Sequence, residues 1–502
     1  MKAAAVFSDN MVLQRGKNVR IFGECDDSSA EIDVSVPELG KTARAVVSGN
    51  KWEAVLPPME ACAECTVEIC SGSEKITFSN VVVGEVWLAG GQSNMEFELQ
   101  NDFSGTEELS ACSEENVRFY YTPKCASADD ELIKAEESAC WTLPDKKSAS
   151  AWSAVGYYFA KELSRKLGVT VGIIGCNWGG TSASAWMKRA YLERDKALRI
   201  YLDEYEKATE GKTEEQMIAE YAEYTEYHEK WQQRVNRCYE EDPDIKWAKV
   251  LEKCGENRYP GPPGCKNPMR PCGLYETMIS RVCPYTVKGF IYYQGESDDH
   301  RPDSYYRLLS ALIENWRNDW QDDELPFLFV QLPMFRNADD EDTKNWAEIR
   351  EAQEKVYKTV RRTGLAIALD CGEFNNIHPI RKAPVGHRLF LQAMYEVYRG
   401  ISDSEANPPV YRDYEVNGGS ITLYFSNCSG FEVCGTLAGF EAAGADGVYY
   451  PADAVISGET IILRSDKVSC PVSARMQWTN YADVTLFGRN GIPVPPFRTR
   501  KY

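Results

Sequence analysis

Residues 81–95 read VVVGEVWLAGGQSNM, and this stretch decides the fold. Its first ten residues form an apolar run interrupted and closed by glycine, which is typical of a strand buried on both faces of a parallel sheet. The polar residues that follow place Ser93 where the chain leaves the strand. Ligand sites in open α/β sheets lie at the carboxyl ends of the strands, so we expect Ser93 at such an edge.

The same apolar pattern recurs four times further along the chain. The runs are Val169–Ile174, Gly289–Tyr293, Pro326–Leu332 and Leu365–Leu369. Helical patterns lie between several of them, and the clearest are Ala154–Lys166, Tyr306–Trp320 and Trp346–Val360. Strands that alternate with helices predict a doubly wound α/β domain with a parallel sheet.

The rest of the chain divides around this domain. Residues 1–83 and 405–502 show short alternating bursts between turn residues, which predict β domains, the first an antiparallel sandwich. Residues 84–404 then form the α/β domain, and about 190–262 form a helical insertion within it, expected to be a long hairpin that ends in a Pro/Gly-rich loop. Thr213 with Gln216 predicts a capping box at the start of one insertion helix.

Composition excludes several classes of protein. The chain has 502 residues, of which 26% are charged and 43% hydrophobic, so it is globular rather than disordered. Its net charge of −20 argues against nucleic acid or an anionic membrane surface as a partner. No apolar run approaches the roughly 18 residues of a membrane span. The oligomeric state is not readable from the sequence.

Cysteine usage bears on the compartment and on metals. The 17 cysteines are scattered along a long chain, which favours reduced thiols over a disulfide framework. Residues 1–14 are too short for a signal peptide, so we expect a cytoplasmic protein, or a secreted one whose signal has been removed. Cys62 and Cys65 form a CxxC without a second pair at zinc spacing, so we expect no metal and no other cofactor.

Ser93 and His378 are the candidate catalytic residues. Ser93 sits among glycines at a strand exit, although a polar turn alone would explain this pattern. The chain has only four histidines, and His378 lies in the loop after the fifth predicted strand, at the same sheet edge as Ser93. A histidine there could accept the serine proton. We expect His228 to be structural, because it lies on the apolar stripe of the insertion.

Two further strand exits offer donors for an oxyanion. Gly179 and Gly180 follow the second predicted strand, and their backbone N–H groups are unobstructed by side chains. Gln294 follows the third and carries an amide donor. Each loop alone also fits turn glycines or a surface glutamine. Their convergence with Ser93 and His378 at one edge favours a serine hydrolase.

These blocks resemble the SGNH-type esterases, and specifically the sialate O-acetylesterase family. The matching stretches are DNMVLQR (9–15), GEVWLAGGQSNM (84–95), NWGGTSASAW (177–186), GLYETMI (273–279), KGFIYYQGES (288–297), NIHP (376–379), GFEAAGADGVYYPADAVI (439–456) and GIPVPPFRT (491–499). The resemblance covers nearly the whole chain. It implies an SGNH-like fold, deacetylation of acetylated sugars, and the roles given above for Ser93, His378, the glycines and Gln294.

One position departs from the SGNH pattern. Those enzymes usually carry Asp three residues before the histidine, where this chain has Asn375, and Asn376 is not a carboxylate either. An amide cannot stabilise an imidazolium as a carboxylate does. The expectation is therefore either a Ser–His dyad or a substitute carboxylate, with the candidates Asp370, Glu373 and Glu296. Glu296 also fits a buried strut.

Three alternatives remain beside a sialate esterase. Acetylxylan or another acetylated polysaccharide needs the same centre and a more open groove. Glycoside hydrolysis by Glu296 and Asp298 requires two carboxylates on either side of a sugar, which their spacing of two residues makes unusual. A carbohydrate-binding protein with a degenerate hydrolase core is the non-enzymatic alternative.

Overall fold

The first part of the chain folds into short strands, as predicted. In this computed structural model, which describes residues 1–27, 29–242, 245 and 247–499, they are β1 (Lys2–Ala3), β2 (Val12–Gln14), β3 (Val19–Glu24), β4 (Asp33–Val36), β5 (Lys41–Arg44), β6 (Val46–Ser48), β7 (Lys51–Leu56) and β8 (Cys62–Ser71). One antiparallel sheet has the order β1-β3-β7-β6. The strands β4, β5 and β8 pair antiparallel beside it, and side chains of both groups enter the same core.

A long strand connects these strands to the main sheet. It is β9 (Glu74–Gly91), which pairs with β8 through its first half and with the central strands through its second half. The predicted boundary between residues 83 and 84 therefore falls inside a continuous strand. All positions from Val81 to Gly91 are buried, in line with the apolar run in the sequence.

The central sheet is parallel and contains all five predicted strands. Its members after β9 are β10 (Val117–Tyr121), the short antiparallel edge β11 (Trp141–Thr142), β12 (Val171–Asn177), β13 (Gly289–Tyr293), β14 (Phe327–Gln331) and β15 (Thr363–Ile367). Their order is β11-β10-β12-β9-β13-β14-β15. From β9 the chain continues to β10 on one side of the sheet, and from β13 it continues to β14 on the other side. The position between β9 and β13 is therefore a switch point, where such sheets bind ligands.

Helices connect the strands of this sheet and continue into the insertion. They are α1 (Ser93–Glu96), α2 (Gly105–Ala111), α3 (Asp130–Ser138), α4 (Lys146–Ser150), α5 (Ala154–Leu167), α6 (Arg189–Glu193), α7 (Arg199–Thr209), α8 (Glu214–Glu241), α9 (Trp247–Cys254), α10 (Ser280–Val282), α11 (Pro302–Trp320), α12 (Asn345–Thr359), α13 (Ala383–Glu396) and α14 (Asp403–Ala406). The three predicted helices correspond to α5, α11 and α12. No helix in the described ranges is both long and apolar enough to cross a membrane.

Helices cover both faces of the sheet. Trp87 of β9 packs edge-on against Phe159 of α5. The next residue, Leu88, points to the other face, because side chains alternate along a strand. Its neighbour in register, Phe290 of β13, packs against Trp316 of α11. The sheet is therefore enclosed by α5 on one side and α11 on the other, as the uninterrupted apolar strands predict.

The insertion is a small helical unit with its own core. The capping box of Thr213 and Gln216 begins α8, as predicted. The predicted apolar stripe is confirmed in part: Trp231 is buried, and His228 stacks between Tyr224 and Trp231. His228 thus packs structurally, as expected. Instead of a simple hairpin, α7, α8 and α9 follow one another, and α8 and α9 share a cluster of buried side chains.

The last part of the chain returns to strands. They are β16 (Val410–Asn417), β17 (Ser420–Ser426), β18 (Phe431–Val433), β19 (Phe440–Ala443), β20 (Tyr449–Pro451), β21 (Asp453–Ser457), β22 (Thr460–Arg464), β23 (Ser473–Met476), β24 (Leu486–Gly488) and β25 (Phe497–Arg498). They pair antiparallel around a separate apolar cluster. Arg350 of α12 donates to the carbonyls of Thr479 and Asn480, which ties this region to the central sheet.

Candidate active site

Ser93 lies at the carboxyl end of β9, where the chain turns into α1. Gly91 makes this turn with φ at 134°, and an ideal Cβ there would lie 2.1 Å from the Tyr293 carbonyl oxygen. Only glycine fits that approach. Ser93 is the first residue of α1, and its backbone N–H donates to no acceptor in the described part of the chain. Both its hydroxyl and its N–H are thus available for chemistry.

His378 meets Ser93 from the opposite part of the sheet edge. It lies in the loop after β15, and its Nε2 is 2.8 Å from the Ser93 Oγ. The other histidines lie elsewhere: the His387 Nδ1 is 2.8 Å from Glu162, and the His300 Nε2 is 3.1 Å from Arg301. The choice of His378 among the four histidines therefore agrees with the geometry.

The environment of His378 favours its neutral form. Partial burial beside Ser93, and next the charge of Lys382, lower the pKa of His378 below its usual 6.5, while Glu96 acts in the opposite direction. A general base must be neutral before it can accept a proton. This imidazole is therefore ready to act at neutral pH.

No described residue hydrogen-bonds to the Nδ1 of His378, and the predicted supporting residues all contact other groups. Asp370 forms a two-bond ion pair with Arg388. The Glu373 carboxylate accepts hydrogen bonds from the Ile380 N–H and from the Asn376 side-chain amide. The side-chain oxygen of Asn375 accepts from the Ala338 N–H, and that of Asn376 accepts from the backbone N–H of His378. Asp370, Glu373, Asn375 and Asn376 thus shape the loop but do not touch the ring. Neither of the two carboxylates, Asp370 and Glu373, therefore contacts the imidazole.

Glu296 is a buried strut rather than a partner of the ring. Its Oε1 accepts a 2.6 Å hydrogen bond from the Asn94 amide, its Oε2 is buried without a partner among the described residues, and burial raises its pKa. The same Asn94 amide donates to the Ile377 carbonyl oxygen at 3.0 Å. Asn94 therefore ties the Ser93 helix directly to the loop of His378.

Lys382 completes this buried network. Its side chain is fully buried, and its Nζ donates to the Asn94 Oδ1 at 2.5 Å. Its ammonium group lies over the rings of Phe97 and Tyr293. Burial lowers the pKa of Lys382 to about 8. Neither Asn94 nor Lys382 is among the residues expected from the sequence, although Asn94 directly follows Ser93 and Lys382 lies four residues after His378.

Gly179 and Gly180 come to the site as predicted. An ideal Cβ on Gly179 would lie 3.2 Å from the Ser93 Cβ, so this glycine lies directly beside Ser93. Its N–H donates to the Glu96 Oε2 at 2.5 Å, and the other oxygen of Glu96 pairs with Lys124. The donor expected to hold an oxyanion therefore already binds an anionic oxygen. Glu96 is a third residue of this site that was not expected from the sequence.

The prediction for Gln294 needs correction. Its side chain is buried, and its Nε2 donates to Asp298 at 2.6 Å and to the Thr181 carbonyl oxygen at 3.2 Å. Its Oε1 accepts from the Tyr305 hydroxyl. The amide is thus turned into the protein and engaged there, so it offers no free donor to the site. The residue exits the right strand, but its side chain points the wrong way.

The alternative pair of Glu296 and Asp298 is not supported either. Asp298 is buried and accepts hydrogen bonds from Ser182, the Ala183 N–H, Gln294 and Tyr201. A glycoside hydrolase needs two carboxylates that face one sugar. Here both acids serve as internal acceptors that hold neighbouring loops.

Comparisons with known proteins agree with this geometry. A family model described as carbohydrate esterase, sialic acid-specific acetylesterase, matches residues 83–218 and 266–389, which contain both Ser93 and His378. The chain is 27% identical to mouse sialate O-acetylesterase over 78% of its length and 73% of that protein. It is 25% identical to the human sialate O-acetylesterase over 79% and 71% of the two chains. A crystal structure of a carbohydrate acetylesterase from Xanthomonas citri superposes with a TM-score of 0.78, at 29% identity and full coverage of both chains.

Proposed function

Since the chain belongs to the sialic acid-specific acetylesterase family of carbohydrate esterases, we propose that it removes O-acetyl groups from acetylated sialic acids. It is a carboxylic ester hydrolase that acts on acetylated sugars. The observation that carries the proposal is the 2.8 Å contact between Ser93 Oγ and His378 Nε2 at the switch point of the sheet. The mouse and human relatives, both sialate O-acetylesterases, support sialic acid as the sugar.

In the proposed reaction His378 accepts the Ser93 proton while Oγ attacks the acetyl carbonyl carbon. The tetrahedral intermediate carries a negative oxygen, which the N–H of Ser93 and that of Gly179 or Gly180 stabilise. Each such donor is worth about 3 kcal/mol in the transition state. The bond between the acetyl carbon and the sugar oxygen then breaks, and His378 gives its proton to that oxygen, so the sugar leaves with a free hydroxyl. A water molecule, activated by the same imidazole, releases acetate from the acyl-serine.

The position of Glu96 adds a requirement to this reaction. The Gly179 N–H is engaged by the Glu96 carboxylate, so it can serve the oxyanion only when Glu96 has moved away. The Ser93 N–H needs no such displacement, because it has no acceptor among the described residues. We therefore assign the Ser93 N–H as the permanent donor and Gly179 as a donor recruited by substrate. Lys124, the other partner of Glu96, can hold the displaced carboxylate.

The finer description of the fold belongs to the same proposal. We assign residues 84–404 to an SGNH-type doubly wound domain with the helical insertion at about 190–262. The parallel strand order and the helices on both faces support it. Residues 1–83 and 405–502 are assigned to flanking β domains, supported by their antiparallel pairings. Limited proteolysis that cuts near residue 405 and leaves two resistant fragments would support the second boundary.

We also propose that the protein works in a reducing compartment, the cytoplasm. All 17 cysteines are free thiols, which supports this assignment. A secreted protein whose signal has been removed is the alternative. Fractionation of the producing cells, with the protein detected by antibody, distinguishes the two.

Acetate release from a panel of substrates tests the function. Mono-O-acetylated sialic acids and acetylated xylo-oligosaccharides are compared by kcat/KM, since acetylxylan is the second candidate. We expect a preference of at least about tenfold for sialic acids, which corresponds to about 1.4 kcal/mol of transition-state binding. A preference for xylo-oligosaccharides would overturn the sugar assignment and leave the esterase chemistry intact.

A further inference from the structure

A cavity of about 550 Å³ has Gly180 and Ser297 among its lining residues. Gly180 directly follows the glycine that contacts Ser93, and the Ser297 N–H donates to the Gln92 Oε1 at 3.2 Å. Two residues of the wall thus belong to segments that contact the loop of Ser93, although Ser93 itself is not part of the wall. A sugar whose acetyl group reaches Ser93 would extend into this space.

The outer wall comes from the Pro/Gly-rich loop at residues 258–264. Tyr259, Pro260, Gly261 and Pro263 line the cavity from this side. The loop lies in the stretch 219–265, between the two segments that the family model matches. This wall is therefore a feature of this chain that the family match does not include.

Tyr259 is the residue of this wall that lies closest to the catalytic loops. Its hydroxyl oxygen lies 1.7 Å from an ideal Cβ of Gly180, so it occupies the space that a side chain at position 180 would need. Gly180 has φ at 73°, which further favours glycine there. The tyrosine thus packs directly against the loop of Gly179 and Gly180.

The loop that carries Tyr259 is held in place by its neighbours. The buried amide of Asn267 donates to the carbonyl oxygens of Pro260 and Pro262, both at 3.1 Å. Gly261 packs against the ring of Tyr224 and Gly264 against Met217, both on α8. The insertion helix therefore braces the wall, which gives the helical insertion a role at the site.

The lining of the cavity suits a single sugar. The lining combines aromatic residues, Tyr201 and Tyr205, with polar ones, His300 and Arg301. Its volume is within the usual range of small-molecule pockets, about 300–1,000 Å³. An acetylated polysaccharide needs instead a groove that is open on both sides of the reacting residue. Tyr259 and its loop occupy the space beside Gly180, next to the glycine that contacts Ser93.

We propose that Tyr259 is a specificity-determining residue, which limits the substrate to one acetylated sugar residue, free or at a chain end. The proposal rests on the proposed function in that it places the reacting ester at Ser93. It extends that function, because it assigns the size of the substrate to a part of the chain outside the family match.

The test compares kcat/KM for two substrates in each variant: acetylated xylose and acetylated xylotetraose, with acetylated sialic acid measured alongside. We expect Tyr259→Ala to lower the ratio of monosaccharide to tetrasaccharide at least about fivefold, through a higher KM for the monosaccharide and a better use of the tetrasaccharide. Tyr259→Phe keeps the ring and should keep the wild-type ratio. Tyr239→Ala, at an exposed tyrosine of α8, is the matched control and should change neither value.

The outcomes separate this inference from the proposed function. If Tyr259→Ala only disturbs the structure, kcat/KM falls by the same factor for acetylated xylose and acetylated xylotetraose. Their ratio then stays unchanged, which would overturn the inference. A wild-type enzyme that is inactive on acetylated sialic acid but active on acetylated xylose would overturn the sugar assignment alone. The ratio on the xylose substrates would still decide the role of Tyr259.

Discussion

Replacing Lys382 with methionine should move the acid limb of the pH–rate profile upwards. Lys382 is fully buried, and its charge lowers the pKa of His378. The pKa of Lys382 itself is about 8, so the side chain is charged throughout the range in which His378 titrates. Removing that charge stabilises the imidazolium and raises the pKa of His378. Because the neutral imidazole is the active form, activity is then lost at a higher pH as the solution is acidified.

The size of this shift follows from Coulomb's law. A single unit charge near a partly exposed imidazole contributes on the order of 1 kcal/mol, which is about 0.7 pKa unit. We therefore expect the acid limb to rise by about 0.5 to 1 unit. Besides Lys382, the charged group that acts on His378 is Glu96, and its effect has the opposite sign. Glu96→Gln should therefore lower the acid limb.

The assay is kcat/KM for 4-nitrophenyl acetate, measured between about pH 4.5 and 8. Lys288→Met is the matched control, since it removes a half-buried lysine that directly precedes β13. This is the amino end of the strand, whereas His378 lies at the carboxyl edge of the sheet. It should leave the acid limb unchanged. Circular dichroism and the melting temperature confirm that each variant is folded. If Lys382→Met does not fold, Glu96→Gln, at a half-exposed residue, still tests the sign of the charge effect on the pKa of His378.

The result that would refute this reasoning is specific. A folded Lys382→Met enzyme whose acid limb stays in place or moves down would show that the charge of Lys382 does not act on the catalytic base. A Glu96→Gln limb that rises would do the same for the opposing carboxylate.

Three further predictions concern the loop, the network and metals. Asn375→Asp should leave the acid limb and kcat unchanged in the same pH–rate assay, because the side chain contacts the Ala338 N–H and not His378; a raised limb would contradict this. Asn94→Ala should lower kcat by about 10- to 100-fold with a smaller effect on KM, because it frees the loop at Ile377; steady-state kinetics would contradict it if only KM rose. Prolonged dialysis against EDTA should leave the rate intact, and recovery of lost activity by added zinc or calcium would oppose the metal-free reaction.

The central sheet was predictable because its strands are uninterrupted apolar runs. The strand β10 was missed, since Arg118 breaks the apolar run in its sequence. In the structure this side chain reaches the carbonyl oxygens of Asn10 and Asn80, so it does not enter the core. A buried strand that contains an arginine therefore lacks the uninterrupted apolar run by which the other strands of this sheet were predicted.

The catalytic pair was predictable for a different reason. The carboxyl ends of parallel strands meet at one edge, so the exits of β9 and β15 bring Ser93 and His378 together. The same rule brought Gln294 to the edge but could not give the direction of its side chain, which is set by Asp298 and Tyr305. Position along the strand is readable from sequence, whereas orientation depends on partners that are distant in the chain.

The parts that could not be predicted depend on tertiary contacts. Lys382 is a fully buried charge, and burial of a lysine has no signature in a hydrophobic pattern. Asn94 contacts Glu296 and Ile377, which lie about 200 and 280 residues away in sequence. The contact of Tyr259 with Gly180 likewise joins the insertion to a loop of the sheet.

Covalent labelling of the nucleophile tests the central claim most directly. The enzyme is treated with a fluorophosphonate, which reacts with serines activated by a neighbouring base. Peptide mass spectrometry should place one label on Ser93, the label should be lost in Ser93→Ala and in His378→Ala, and acetate release should fall by several orders of magnitude in Ser93→Ala. A label on another residue, or a Ser93→Ala enzyme that is folded and keeps more than about a tenth of the wild-type rate, would contradict the account.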